Sequence, residues 1–316
     1  MMQISPETQL FIREHSSDDV RVLALQAKKY PDIDMPTAIT QIAGRKVAAE
    51  KIPSWWEIEK IWYPKHLSLE QCSSEITARY KARLLQGDSL TDLTGGFGID
   101  CSFLATGFKS ATYVERQEEL CEIAAHNFPV LNLNHINIKN EDGVTYLQAM
   151  SPVDCLFLDP ARRNEHGGKT VAISDCEPNV AELEELLLQK ANRVMIKLSP
   201  MLDLSLALKE LKQTQEVHIL SVNNECKELL ILLGQTSPTE ISIHCVNLST
   251  KGTQEEQHFV FTREQEQCSE CTYTDSLETY LYEPNASLLK AGAFRSIAAA
   301  YPVRKLHPNS HLYTSD

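Results

Sequence analysis

The stretch Leu90-Thr91-Asp92-Leu93-Thr94-Gly95-Gly96-Phe97-Gly98-Ile99-Asp100 decides how the rest of the chain is read. Residues 90–93 form a short apolar strand with a carboxylate near its end. Three glycines follow, and residues 101–105 begin a helix. A Cβ at those glycines would obstruct both a tight turn and a ligand lying against the backbone. The N–H groups opening the helix can receive an anionic group such as a carboxylate. A dinucleotide fingerprint requires Gly-x-Gly-x-x-Gly, and here Gly96 and Gly98 are followed by Cys101 where the third glycine belongs. Asp92 and Asp100 flank the loop. Acids suit a ligand with ammonium and hydroxyl groups better than a pyrophosphate. A glycine turn with no ligand is the plain alternative.

Outward from this loop, strand-like and helical runs alternate. The strand runs are residues 90–93, 111–114, 135–138, 155–158, 193–198, 217–222 and 229–233; the helical runs include 118–127, 179–189 and 202–211. This alternation predicts an α/β fold: a Rossmann-like domain over residues 86–236, with a mainly parallel seven-stranded sheet and helices on both faces. The last two strands have no long helix between them, which predicts an antiparallel hairpin closing the sheet. Residues 1–85 read as a helical region, with candidate helices at 17–29, 36–51 and 69–85. Its aromatics Trp55, Trp56, Trp62 and Tyr63 stand near Lys60, Lys65, Arg79, Lys81 and Arg83. Such a set can stack on nucleic acid, but packing of the rings onto the next domain is the simpler reading. Residues 237–316 read as a small α+β appendage: strands at 240–246 and 258–262 around a polar turn, then a helix starting near Pro284. The final Leu306-His307-Pro308-Asn309-Ser310-His311-Leu312-Tyr313 shows no evident terminating element.

Ligands of open α/β sheets sit at the carboxyl ends of strands. Consecutive expected strands end in acids here: Asp92, Glu115, Asp142 just beyond the third, and Asp159. Each alone is commonplace, and solvated strand-end acids are the alternative. In this order around a glycine loop they read as an S-adenosylmethionine cradle. The Asp92–Gly98 loop, with Thr94, Gly95 and Gly96, holds the methionine part, and Asp100 is a further cofactor-binding candidate. Glu115 can accept both ribose hydroxyls, Asp142 can accept the adenine amino group, and Ile99 with Val114 or Arg116 can flank the adenine or ribose.

Asp159-Pro160-Ala161-Arg162-Arg163 lies where an acceptor meets the methyl group. An acid followed by proline gives a rigid strand exit that presents a side chain and a carbonyl. A nitrogen being methylated needs hydrogen-bond acceptors to orient its lone pair, and proximity supplies most of the acceleration. Asp159, Pro160 and Arg162 are the expected catalytic residues, with Asp159 also at the cofactor. Arg162 and Arg163 can hold a phosphate or pair with nearby acids. Glu165-His166-Gly167-Gly168-Lys169 reads as a loop that closes over substrate. Lys197, at the end of the fifth strand, can contact phosphate, act as a base, or be solvated.

Residues 92–100, Glu115, Asp142 and Asp159-Pro160 resemble motifs I to IV of class I S-adenosylmethionine-dependent methyltransferases, over residues 84–234. The whole chain is similar to bacterial methyltransferase-like proteins carrying a THUMP-like domain. Tyr282-Glu283-Pro284-Asn285-Ala286 and the final Leu306-to-Tyr313 segment resemble that family's lead into its THUMP-like region. The resemblance implies RNA modification, a ferredoxin-like C-terminal piece, and a chain that stops before the THUMP-like region is complete. The fourth motif departs from the pattern of amino-nitrogen methylators, because Ala161 and Arg162 replace the second proline and the aromatic. It is closer to the Asp-Pro-Pro-Arg of uracil-C5 enzymes. Those need a cysteine nucleophile soon after the fifth strand, where this chain has Leu198-Ser199-Pro200. Carbon methylation by that route is disfavoured.

Composition sets further bounds. The 316 residues carry a formal net charge of -13, so any nucleic-acid contact needs a local basic patch. The nine cysteines are scattered, odd in number and without a signal peptide, which points to reduced thiols in the cytoplasm. No apolar run approaches the roughly 20 residues that span a bilayer. Cys268-Ser269-Glu270-Cys271 has metal-ligand spacing, but a zinc site needs two more ligands and no second pair exists, so no metal is expected. The Asn223-Asn224-Glu225-Cys226-Lys227-Glu228 break suits a hairpin turn or the lining of an acceptor pocket. The expectation is a cytoplasmic S-adenosylmethionine-dependent methyltransferase acting on RNA (tRNA or rRNA) at a base nitrogen, without membrane or obligate protein partner. Two alternatives stay open: a protein or small-molecule acceptor, which the acidic balance favours, and a non-catalytic RNA-binding module with a methyltransferase fold.

Overall fold

Among the described residues six α-helices precede the first strand, and side-chain caps set the starts of the first three. In α1 (Pro6–Glu14) the Ser5 hydroxyl accepts the Thr8 N–H, with proline in the first turn. Asp19 caps α2 (Val20–Leu25) and Asp34 caps α3 (Met35–Lys51). Then come α4 (Pro53–Trp56), α5 (His66–Gln71) and α6 (Glu75–Ala82). The helix expected over 17–29 is shorter, and α1 was not anticipated. The helix expected over 69–85 is two helices, because Ser73 between them turns inward to donate to Asp100 at 2.7 Å. The aromatics of this region pack. Trp55 is buried edge-on to Phe97, with ring centres 5.2 Å apart. Trp62 stacks on His126 at 3.7 Å, and the Asn127 side chain bonds both its N–H and its carbonyl. Trp56 remains exposed beside Arg45.

The computed structural model describes residues 4–162, 172–236, 238–250 and 256–316, and the side chain at 162 lies outside that set. Two compact units are Met1–Cys155 and Leu156–Asp316. In the first, the helices lead into β1 (Ser89–Asp92), α7 (Ile99–Ala105), β2 (Ser110–Glu115), α8 (Glu118–Val130), β3 (Ile136–Asn140) and α9 (Gly143–Ala149). The division falls within β4 (Val153–Leu158). Strands β1, β2 and β3 are neighbours in that order and parallel. Helix α9 was not anticipated; it forms because Asp142 caps it.

The second unit holds β5 (Ala161–Arg162), β6 (Cys176–Glu177), α10 (Val180–Lys190), β7 (Ala191–Leu198), α11 (Leu204–Glu210), β8 (Thr214–Val222), β9 (Glu225–Gly234), β10 (Ser242–Leu248) and β11 (Gln257–Thr262). Its main strands run in the order β11-β10-β8-β9-β7. β9 lies between β7 and β8, antiparallel to both. Asn223 and Asn224 join β8 to β9 with φ of 49° and 64°, the two positive values of a two-residue hairpin turn. The polar break is therefore a turn.

The mainly parallel mixed sheet with flanking helices is as expected, but two details are corrected. The hairpin does not close the sheet, because β9 is flanked on both sides, which is why Leu229 to Leu233 are fully buried. In addition, two strands expected in the appendage belong instead to the second unit's main sheet: β10 pairs with β8, and β11 pairs with β10.

The C-terminal piece contains α12 (Arg263–Cys268), β12 (Tyr280–Tyr282), α13 (Ala286–Ala291), α14 (Phe294–Ala300), β13 (Arg304–Lys305) and β14 (Tyr313–Ser315). Its three-stranded antiparallel sheet has the order β12-β14-β13. The last stretch, where the sequence shows no evident terminating element, forms strand β14, anchored by buried Tyr313, whose hydroxyl donates to the Phe294 carbonyl at 2.7 Å. Among the described residues no helix is long and apolar enough to cross a membrane.

Candidate active site

The loop after β1 is held by its own side chains and by β2. Asp92 is 1% exposed, and its Oδ1 accepts the Thr94 N–H at 2.9 Å, an Asx turn that starts the bend. The Gly95 N–H donates to the Val114 carbonyl at 2.8 Å, and the Gly98 N–H to the Gly95 carbonyl at 2.9 Å. A Cβ at Gly95 would lie 2.3 Å from the Tyr113 ring. The Tyr113 hydroxyl donates to the Gly96 carbonyl at 2.5 Å. Gly98, at φ 87°, is the N-cap of α7, and Gly96 sits at φ 53°. At Gly96 an added Cβ would meet only the Thr94 carbonyl, at 3.7 Å. The three glycines thus serve different ends: Gly95 fits under a ring, Gly98 makes the turn, and Gly96 keeps one side of the backbone open.

Glu115 closes this loop from β2. It is 8% exposed; Oε2 accepts the Gly96 N–H at 2.9 Å and Oε1 accepts the Gln117 N–H at 2.8 Å. An ionised carboxylate has about four acceptor sites, so two backbone bonds do not exhaust it. Asp142 is exposed, and its Oδ1 accepts the Val144 and Thr145 N–H groups, both at 3.0 Å. Its neighbour Gly143 packs on β1, where a Cβ would lie 2.2 Å from the Leu93 carbonyl oxygen. That contact brings Asp142 to the end of β1. Arg116 is exposed next to Glu115, and its carbonyl accepts from Asn140 at 3.2 Å.

Asp100 faces the other way, toward α6. Its Oδ2 accepts from Ser73 at 2.7 Å and its Oδ1 pairs with Lys81 at 2.9 Å, while Lys81 also donates to Ser73 at 2.8 Å. Lys81 is fully buried. A buried ammonium persists only when paired and hydrogen-bonded, so this triad ties the N-terminal helices to the start of α7. Burial, then the charges of Asp92 and Asp100, push the Cys101 thiol well up, leaving it protonated and inert. Burial, then Glu115, likewise raises the Tyr113 phenol, so its hydroxyl stays a donor.

In the second unit, Asp159 is half-buried and Pro160 buried at the end of β4. Asp159 Oδ2 lies 2.5 Å from Lys197 Nζ, a charge-assisted hydrogen bond between two strand ends. Beyond Pro160, β5 pairs with β6. The Arg162 side chain, Arg163 and the segment 165–169 lie outside the described residues, as do residues 251–255 of the expected polar turn. Sequence reasoning missed Ser73, Lys81 and Tyr113 as supports of the loop. Only the Asp159–Lys197 pair left a signal, two opposite charges at the ends of two apolar strands.

Comparison with known proteins adds the following. A family model described as a ferredoxin-like domain matches residues 280–316. The structure of a protein of Porphyromonas gingivalis W83, described as a methyltransferase, matches at 34% identity and a TM-score of 0.86, over 100% of this chain and 80% of that one. A modification subunit of a type I restriction enzyme from Vibrio vulnificus YJ016 matches at 12% identity and a TM-score of 0.43, over 64% of this chain and 56% of that one. A Streptococcus mutans methyltransferase in complex with SAH matches at 13% identity and a TM-score of 0.36, over 51% and 96%. No curated protein sequence matches the chain.

Proposed function

The chain belongs to the family of the Porphyromonas gingivalis methyltransferase, and on that premise we propose that it is an S-adenosylmethionine-dependent methyltransferase acting on RNA at a base nitrogen. The observation that carries the cofactor reading is the loop at residues 92–98. A buried carboxylate, Glu115, grips the Gly96 N–H, while Gly96 itself is open on one side. The donor chemistry fits: carboxylates for hydroxyl and amino groups, and bare backbone for a ligand lying close. Asp92, Thr94, Gly95, Gly96 and Gly98 would hold the methionine part, with Asp100 bracing the loop from α7. Glu115 would take the ribose hydroxyls, Asp142 the adenine amino group, and Arg116 the adenine or ribose edge. When bound, the cofactor supplies an electrophilic methyl carbon on a sulfonium sulfur.

The chain's own contribution at the acceptor is orientation. Asp159 and the backbone carbonyls around Pro160 accept hydrogen bonds from an amino group, so its lone pair has one direction. Lys197 positions Asp159 through their ion pair. Arg162 is placed by sequence to take a phosphate. The helices before β1 and the small C-terminal piece position the RNA. The RNA acceptor and the THUMP-like affiliation rest on sequence resemblance. The scattered, odd cysteine set supports a cytoplasmic setting. A protein or small-molecule acceptor is the second reading, favoured by the net charge of -13.

The test is transfer of labelled methyl from S-adenosylmethionine to total RNA and total protein from cells lacking this gene. Label in RNA is expected, with Asp159→Ala retaining cofactor affinity and losing transfer. Label in protein alone would replace the acceptor; no label in either, with S-adenosylmethionine still bound, would point to a small-molecule acceptor, and no label together with no cofactor binding would remove the enzyme assignment.

A further inference from the structure

One face of the sheet in the second unit carries a polar cluster that the proposed chemistry does not use. Strands β8 and β10 are parallel, with His218 directly opposite His244. Strand β11 is antiparallel to β10, and its His258 is opposite Val246, which makes it the diagonal neighbour of His244 on that face. Glu216 precedes His218 by two residues and shares its face. The His218 and His244 rings stack, with centres 4.2 Å apart and planes 17° apart. Glu216 Oε2 is 3.2 Å from His218 Nε2, and its Oε1 accepts from Arg193 at 2.8 Å. His244 Nδ1 is 3.1 Å from His258 Nε2. His218 is buried, Glu216 and His244 are half-buried, and His258 is exposed, so the row opens to solvent at one end.

We infer that Glu216, His218 and His244 form a binding site for one divalent transition-metal ion of the zinc class. One ligand atom from each lies within 4.8 Å of the others. In a tetrahedral zinc site with bonds of about 2.0–2.1 Å, neighbouring ligand atoms stand about 3.3 Å apart. The Glu216–His218 separation of 3.2 Å already matches that edge. The stacked His218 and His244 rings would turn out of their near-parallel planes to aim both in-plane lone pairs at the ion, on strands whose register is fixed. Two imidazoles and a carboxylate suit zinc, nickel or copper(II); copper(I) prefers sulfur, and calcium and magnesium prefer all-oxygen sets. Contacts outside the three residues orient them. Arg193 holds the far oxygen of Glu216, and His258 holds one ring nitrogen of His244, which directs the other nitrogen as the donor. Three protein ligands leave a further position for water or another ligand. The ion would clip β8 to β10. The ligands come from separate strands, so no spacing in the sequence shows them.

The experiment titrates the full-length protein with zinc chloride by calorimetry and with cobalt chloride by visible absorption. It compares wild type with Glu216→Gln, His244→Asn and the double variant Cys268→Ser/Cys271→Ser. One equivalent of metal and cobalt d–d bands are expected in wild type. His244→Asn and Glu216→Gln should each weaken binding by about 100-fold or more, since losing outer-shell partners alone costs about 10–100-fold. The double cysteine variant should bind as wild type does. Zinc chloride should raise the melting temperature of wild type but not of His244→Asn, with circular dichroism confirming that both are folded. No binding by wild type would overturn the assignment. So would binding that survives in both His244→Asn and Glu216→Gln, or that disappears in the cysteine variant.

Discussion

The glycine loop of the first unit and the histidine row of the second are both polar sites on a sheet frame, built in opposite ways. The loop is local: Asp92, Thr94, Gly95, Gly96 and Gly98 are near neighbours in the chain, and each glycine answers a nearby constraint, such as the Tyr113 ring or a left-handed φ. The row is assembled by strand register, with β8, β10 and β11 contributing one or two residues each. A local site can be read from spacing because turn chemistry restricts residue identity. A register site cannot, because any residue on one face of a strand is admissible until its neighbours are known.

Substitutions test the two modes of construction, the largest effect first. Lys81→Ala removes the buried cation from under the loop and leaves Asp100 without its partner charge. It should cost about 3–5 kcal/mol in urea unfolding. The double variant Lys81→Met/Asp100→Leu should cost less than the single one, because it removes both charges. Equal costs would mean that the pair does not brace the loop.

Gly95→Ala forces a methyl into the Tyr113 ring and should cost about 1–3 kcal/mol by chemical denaturation. Gly96→Ala separates folding from binding: with open space but a positive φ, it should cost only about 1 kcal/mol. Its cofactor affinity should nevertheless fall at least about tenfold, equivalent to about 1.4 kcal/mol. If Gly95→Ala and Gly96→Ala proved equally stable, the division of labour within the loop would be wrong.

The histidine row predicts a smaller effect, in pH. In the metal-free protein, burial followed by the neighbouring His218 and His258 lowers His244 to about 4, and burial lowers His218. Both are then neutral in the fold where the unfolded chain, with a pKa of about 6.5, takes up protons. Their contribution is intact above pH 6.5 and is lost as pH falls toward 4. The hydrogen bond from His218, then Arg193, holds Glu216 down at about 2 against its burial, so that carboxylate adds acid lability only below about pH 4.5. Allowing for the half-exposed His244 ring, stability should drop by about 1 kcal/mol between pH 7 and pH 5. His244→Asn should flatten that slope in urea titrations at the two pH values; an unchanged slope would place the acid sensitivity elsewhere.

Much of the frame was legible for the same reason the loop was. Apolar runs located β1 to β4 and β7 to β9, and the helical run from residue 179 is the helix that the Asn179 side chain caps. The neighbours of a strand were not legible. The apolar run of β9 suits a central strand as well as a hairpin partner, so its insertion between β7 and β8 did not follow. The pairing of β10 with β8 escaped for the same reason. At the site, Asp142 was read as a ligand group, and the structure shows it also capping α9, because an aspartate before glycine serves both uses. Lys81 left no signal, since a lysine in a charged helix reads as solvated until its exposure is known. Lys197 gave half a signal, a charge at a strand end, and the structure supplied its partner, Asp159.

The central claim is that the loop gripped by Glu115 is the cofactor cradle. Calorimetric titration of the full-length protein and of Glu115→Ala with S-adenosylhomocysteine tests it most directly, with circular dichroism on both. The account predicts one-to-one binding by wild type, weakened by about 10–100-fold in a folded Glu115→Ala, the loss expected of one or two hydrogen bonds to a charged group. Wild type that does not bind, or a folded Glu115→Ala that binds equally well, would contradict it.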